Sequence, residues 1–186
     1  MKDAPEFYPS DRQAWRQWLL EHHETDTAVW LVYDKGSQRK ITWPEIVQES
    51  LCFGWIDGRA NPISEMQSKI YVSKRKPKGM WSKVNKAHVE NLIASGQMMP
   101  AGLAAIELAK ENGAWDTLND SDNLIVPPEL EAGFVENPAA RATYESFSVS
   151  SKRLILAWIY SAKTEPTRMN RVAQTIEHAA RGEKVR

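Results

Sequence analysis

Leu51-Cys52-Phe53-Gly54-Trp55-Ile56-Asp57-Gly58, answered further on by Arg75-Lys76-Pro77-Lys78-Gly79-Met80-Trp81-Ser82-Lys83-Val84-Asn85, is the stretch whose reading decides the fold. Its first residues read as an apolar helix end stopped by Gly54, and Asp57-Gly58 reads as an acidic turn. Residues 55–63 and 69–74, with Lys69-Ile70-Tyr71-Val72-Ser73-Lys74 in the second, pair as an antiparallel hairpin. Pro77 and Gly79 end the hairpin, and Ser82 caps a helix that runs to about Ser95 and stops at Gly96.

Outward from there, Thr42-Trp43-Pro44-Glu45 has capping-box spacing with proline in the first turn, so a helix leads into Gly54. Ala28-Val29-Trp30-Leu31-Val32-Tyr33 is a short β-branched and aromatic run before Asp34-Lys35-Gly36 and adds a third strand. Ser10-Asp11-Arg12-Gln13 reads as an earlier capping box, with Trp15, Trp18, Leu19 and His22 on one stripe behind it. Downstream, Pro100 opens a helix ending at Gly113, and 116–128 is an acidic, turn-rich surface loop. Pro128 and Pro138 mark two helix starts, and Ser151 caps a helix whose stripe is Leu154, Ile155, Trp158, Ile159 and Ala162. The last helix begins near Pro166, with Met169, Val172, Ala173, Ile176 and Ala180 in line. These stripes need a surface to cover, which predicts α+β: a mostly helical single domain over 1–186 with a small three-stranded antiparallel sheet.

The 186 residues are 42% hydrophobic, and no run reaches the roughly 20 apolar residues of a membrane span. The opening residues lack an apolar leader, and one cysteine, Cys52, makes no internal disulfide, so the expected location is cytoplasmic. Net charge is zero, but it is unevenly spread. Lys69, Lys74, Arg75, Lys76, Lys78, Lys83 and Lys86 follow one another with no carboxylate between them, whereas 101–150 is strongly acidic.

The four histidines have no zinc-ligand spacing, and the serine-hydrolase, phosphate-loop and dinucleotide motifs are absent. No metal, cofactor or catalytic residue is therefore expected. Cys52, flanked by Leu51 and Phe53, reads as an inert core thiol. What remains is a binding constellation of Trp55, Asp57, Arg75, Lys76, Trp81, Ser82 and Asn85. Arg75 supplies a two-pronged grip on carboxylate or phosphate, Trp81 a stacking face, Asn85 a donor and acceptor, and the helix start at Ser82 free amides. The partner expected is an anionic small molecule or protein. The alternatives are nucleic acid, held by the cation run interleaved with Tyr71 and Trp81, and a cryptic enzyme using Asp57 with Arg75 or Lys76.

Leu51 to Gly58, Trp81-Ser82-Lys83-Val84-Asn85, Gly96-Gln97-Met98-Met99-Pro100-Ala101-Gly102 and Thr42 to Glu45 resemble the YdeI/OmpD-associated family, also labelled bacteriocin-protection proteins. Lys163-Thr164-Glu165-Pro166-Thr167-Arg168 with Arg171 resembles that family's carboxy-terminal motif, so the resemblance runs along almost the whole chain. It implies a non-enzymatic stress or protection protein, linked to tolerance of bacteriocins and cationic antimicrobial peptides and to an outer-membrane porin. It also adds Arg168 and Arg171 as anion ligands, with Asn170 standing where the family often has another arginine.

Overall fold

The computed structural model describes residues 4–186; Met1, Lys2 and Asp3, at the head of the stretch read for an export leader, lie outside them. The chain forms two compact units, Met1–Gly79 with Val84–Ala114 and Met80–Lys83 with Trp115–Arg186.

The first unit holds one sheet. Its strands are β1 (Glu6–Phe7), β2 (Ala28–Asp34), β3 (Trp55–Pro62) and β4 (Gln67–Lys74), in the order β1-β2-β4-β3. The expected hairpin and the strand from Ala28 are present, but the sheet has four strands and is mixed, because β1 runs parallel to β2. Two residues are too few to show a period of two in sequence; Phe7 is held instead by aromatic contact with Trp15 and Trp18. Asp57-Gly58 is not a turn. Both residues lie inside β3, where the register with β4 shifts between Asp57 and Ala60, and the chain reverses beyond Pro62.

Four helices accompany the sheet: α1 (Arg12–His22), α2 (Trp43–Cys52), α3 (Lys83–Ala94, its first residue in the second unit) and α4 (Pro100–Glu111). The box at Thr42 forms as read, with Thr42 and Glu45 capping each other. At α1 the cap is Asp11 rather than Ser10: Asp11 accepts from the Ala14 amide at 2.8 Å, and Ser10 Oγ donates to the Asp11 carboxylate at 3.2 Å. Val29 pairs with Val72 and Leu31 with Ile70, giving a fully buried apolar face, and Trp15, Leu19, Ile46 and Leu51 are sealed in the same unit's core. Trp15 Nε1 donates to the Ile46 carbonyl at 3.2 Å, tying α1 to α2.

The second unit is helical: α5 (Asn119–Asp122), α6 (Pro128–Glu136), α7 (Pro138–Ser146), α8 (Val149–Tyr160) and α9 (Glu165–Ala180). Its core is Leu130, Phe134, Ala140, Tyr144, Ile155, Leu156, Ile159, Val172 and Ala179. Both proline-marked starts are in place. The 116–128 stretch is not all surface loop, since α5 forms within it and buries Ser121. Ser148 rather than Ser151 caps α8, accepting from the Ser151 amide; the buried residues of the helix are Ile155, Leu156 and Ile159, and Leu154 is 61% exposed. On α9 the buried residues are Val172, Thr175 and Ala179, and Met169 is 45% exposed.

Candidate functional site

At the end of the hairpin, Trp55 is opposite Lys74, and the Arg75 amide donates to the Gly54 carbonyl at 2.9 Å. Gly54 turns the chain out of α2 with φ of +71°, a left-handed conformation natural to glycine, and a Cβ there would stand 3.0 Å from the Ala101 carbonyl oxygen. The turn therefore sets α2's end, the β4 end and the first turn of α4 side by side. His23 and Glu24, just past α1, complete a hollow of about 370 Å³ lined by His23, Glu24, Phe53, Gly54, Lys74, Arg75 and Ala101.

Three nitrogen bases face this hollow. Lys74 Nζ donates to the Glu24 carbonyl at 2.8 Å. His23 Nδ1 is 2.8 Å from the Leu19 carbonyl, which requires a proton on Nδ1 and leaves Nε2 to accept when the ring is neutral; the ring centroid is 5.1 Å from that of Phe53. Arg75 is half-buried, and burial pushes its guanidinium down to about 10, with the Asp57 charge pulling the other way. Asp57 in turn is raised by burial, opposed by its own amide, a hydrogen bond from Trp43 and the charge of Arg75. A cation held where water solvates it poorly, beside a second cation and an imidazole, favours an anion, against the exposed Glu24 carboxylate 3.9 Å from His23 Nε2.

The structure thus brings Asp57, Arg75 and Lys74 to one end of the hairpin. Trp55 is a core residue with no exposed surface, T-shaped against Trp18. Lys76 is exposed in the turn closed by the Gly79 amide, and Asn85 is half-buried on α3. Trp81 and Ser82 belong to the second unit, where the Trp81 ring is 1% exposed and tilted against Trp115 at 4.9 Å, so it presents no open stacking face. Arg168 also belongs there, donating to Glu129 at 2.9 Å, and Arg171 donates to the Trp158 carbonyl and to Ser161 Oγ at the end of α8. The cation run is not a bare stripe either, for Lys69 is paired with Glu6 and lies over the Trp30 ring.

Sequence reading missed His23, Glu24, Phe53 and Ala101. Each already has a local role at a helix end, and only the close approach at Gly54 draws them together. Elsewhere in this unit Arg12 and Arg16 hold Glu49, which is 2% exposed, and burial pushes the Cys52 thiol up, as suits an inert core position. Among the described residues no cluster of His, Cys, Asp and Glu has the makings of a metal site, and no helix is long and apolar enough to cross a membrane.

Residues 7–105 match a family model described as a domain of unknown function, DUF8412, over more than half of the chain. The chain belongs to the DUF8412 family. The hollow lies wholly within the DUF8412 match. A second family model, described as Bacteriocin-protection, YdeI or OmpD-Associated, matches residues 123–182. The resemblance expected along almost the whole chain is thus narrower. Lys163 to Arg168 and Arg171 fall within that match, whereas the segments quoted from Thr42 to Gly102 fall in the DUF8412 portion. No curated protein and no solved structure matches the chain.

Proposed function

We propose that the chain is a non-enzymatic protection protein that captures a small anion in the hollow of its DUF8412 unit. The observation that carries this reading is that Lys74 and a half-buried Arg75 line the 370 Å³ hollow together, with His23 as a third nitrogen base in its lining. Phosphate or carboxylate is the chemistry that an arginine and a lysine together grip best, the arginine through two parallel N–H donors and the lysine as a point charge. The match of residues 123–182 to the bacteriocin-protection model supports a link to tolerance of bacteriocins or cationic antimicrobial peptides. A cytoplasmic site of action belongs to the same proposal, in keeping with the free, buried Cys52.

Thermal unfolding across a panel of phosphate, sulfate and small carboxylates tests it, because an anion that binds only the folded state raises Tm by mass action. The shift is expected in the wild type and lost in Arg75→Glu, together with peptide tolerance in cells carrying that variant. Retention of both by Arg75→Glu removes the hollow as the functional site.

A further inference from the structure

The second unit contains a cavity that the anion reading does not use. It measures about 190 Å³ and is lined by Leu124, Val126, Glu131, Phe134, Arg141, Tyr144, Glu145 and Lys152. Its floor is aromatic: the Phe134 and Tyr144 centroids are 5.0 Å apart, and Lys152 Nζ lies 5.9 Å from the centre of the Tyr144 ring. Tyr144 is only 4% exposed, and its hydroxyl has no hydrogen-bond partner among the described residues. A buried hydroxyl in that state is rare in a well-packed core and marks a place where a partner belongs.

The wall and the rim narrow what that partner is. Leu124 holds a φ of +57°, a conformation that glycine normally takes at the end of a helix, and Tyr160 Oη anchors the next residue by donating to the Ile125 carbonyl at 3.1 Å. Keeping leucine there preserves an apolar wall that glycine would remove. At the rim Arg141 reaches Glu131 at 2.7 Å and Glu145 at 3.0 Å, and Lys152 donates to the Glu145 carbonyl at 2.7 Å. Two cations and two carboxylates offset each other there, so the rim offers a charged ligand little.

We propose that this cavity is a second ligand site, which takes a neutral molecule with a ring-sized apolar body and one oxygen that accepts the hydrogen bond of the Tyr144 hydroxyl. The size is in proportion: an apolar cavity of roughly 150 Å³ holds benzene, and this one is larger by about a functional group.

Phenol, toluene and benzoate, similar in ring size, serve as probes in ligand-observed and chemical-shift NMR titrations of the full chain. Wild type is expected to bind phenol roughly fivefold more tightly than toluene, the worth of one net hydrogen bond, and to bind benzoate weakest. Tyr144→Phe is expected to abolish the preference for phenol while leaving toluene within about twofold, and Leu124→Gly to weaken both. The wild-type order needs no variant to fold. Equal binding of phenol and toluene, benzoate binding best, or no shift at Tyr144 and Phe134 with any probe would overturn the proposal; the last result would leave water as the hydroxyl's partner.

Discussion

Arg75 loses more to burial than the Asp57 carboxylate restores to it, and the guanidinium is left pushed down to about 10. Asp57 is in the mirror condition, raised by the same half-buried surroundings despite Trp43 and Arg75. In the proposed site an incoming anion adds to the countercharge that Asp57 already gives the half-buried Arg75.

Helix starts are checkable first. Thr42→Ala and Asp11→Ala are each expected to lower stability by about 1 kcal/mol, since each removes an oxygen that accepts from a first-turn amide. Ser10→Ala is expected to stay within about 0.5 kcal/mol. Urea midpoints measure all three; a large loss at Ser10 with none at Asp11 would return the cap to the position first read from sequence.

The junction of α2 and α4 is built on Gly102. A Cβ there would stand 2.3 Å from the Cys52 carbonyl oxygen and 2.7 Å from that of Leu51, both backbone atoms with little room to yield. The Met99 amide also donates to the Cys52 carbonyl, at 3.2 Å. Gly102→Ala is expected to lower stability by about 2 kcal/mol through overpacking, and to disturb the hollow because Ala101 lines it. An unchanged denaturation midpoint would show that the helix ends slide apart freely.

Tyr144 has a pH signature. Burial pushes its hydroxyl up to about 12 from the usual 10.0. Below that lower value folded and unfolded chains both keep the proton and the group adds no slope. Between the two values only the unfolded chain releases it, so stability falls as pH rises, by roughly 2–3 kcal/mol across the window. Tyr144→Phe is expected to remove this slope and, near neutral pH without ligand, to stabilise by about 1 kcal/mol by deleting an unpartnered buried group. Guanidinium melts of both proteins near neutral pH and at about pH 11 measure it; equal slopes would place the hydroxyl in contact with solvent.

The legible parts of this fold are those whose signals are local. Thr42 with Glu45, and the prolines at 100, 128 and 138, speak through the first turn they occupy, and the structure agrees with them. Asp57-Gly58 misled because the same dipeptide suits a tight turn and an irregularity inside a strand. Only pairing with Val72 on one side of the shift and Ile70 on the other decides between them. Arg75 was identifiable as a cation at the hairpin's end, though it was read together with Trp81 and Ser82, which belong to the second unit. His23 and Ala101 were not, since they reach the hollow through packing at Gly54. The cavity at Tyr144 left no sequence trace at all, because Leu124, Phe134, Tyr144 and Lys152 come from a turn and three helices whose own periodicities say only that they are amphipathic.

The most direct measurement is a calorimetric titration of the wild type, Asp57→Asn and Arg75→Gln with the anion that gives the largest thermal shift. Removing the competing carboxylate is expected to tighten binding severalfold and removing the guanidinium to weaken it about tenfold or more, the difference a charge-assisted hydrogen bond makes. The order Asp57→Asn, then wild type, then Arg75→Gln supports a hollow in which Arg75 grips the anion against the pull of Asp57. Indistinguishable affinities across the three proteins would contradict it.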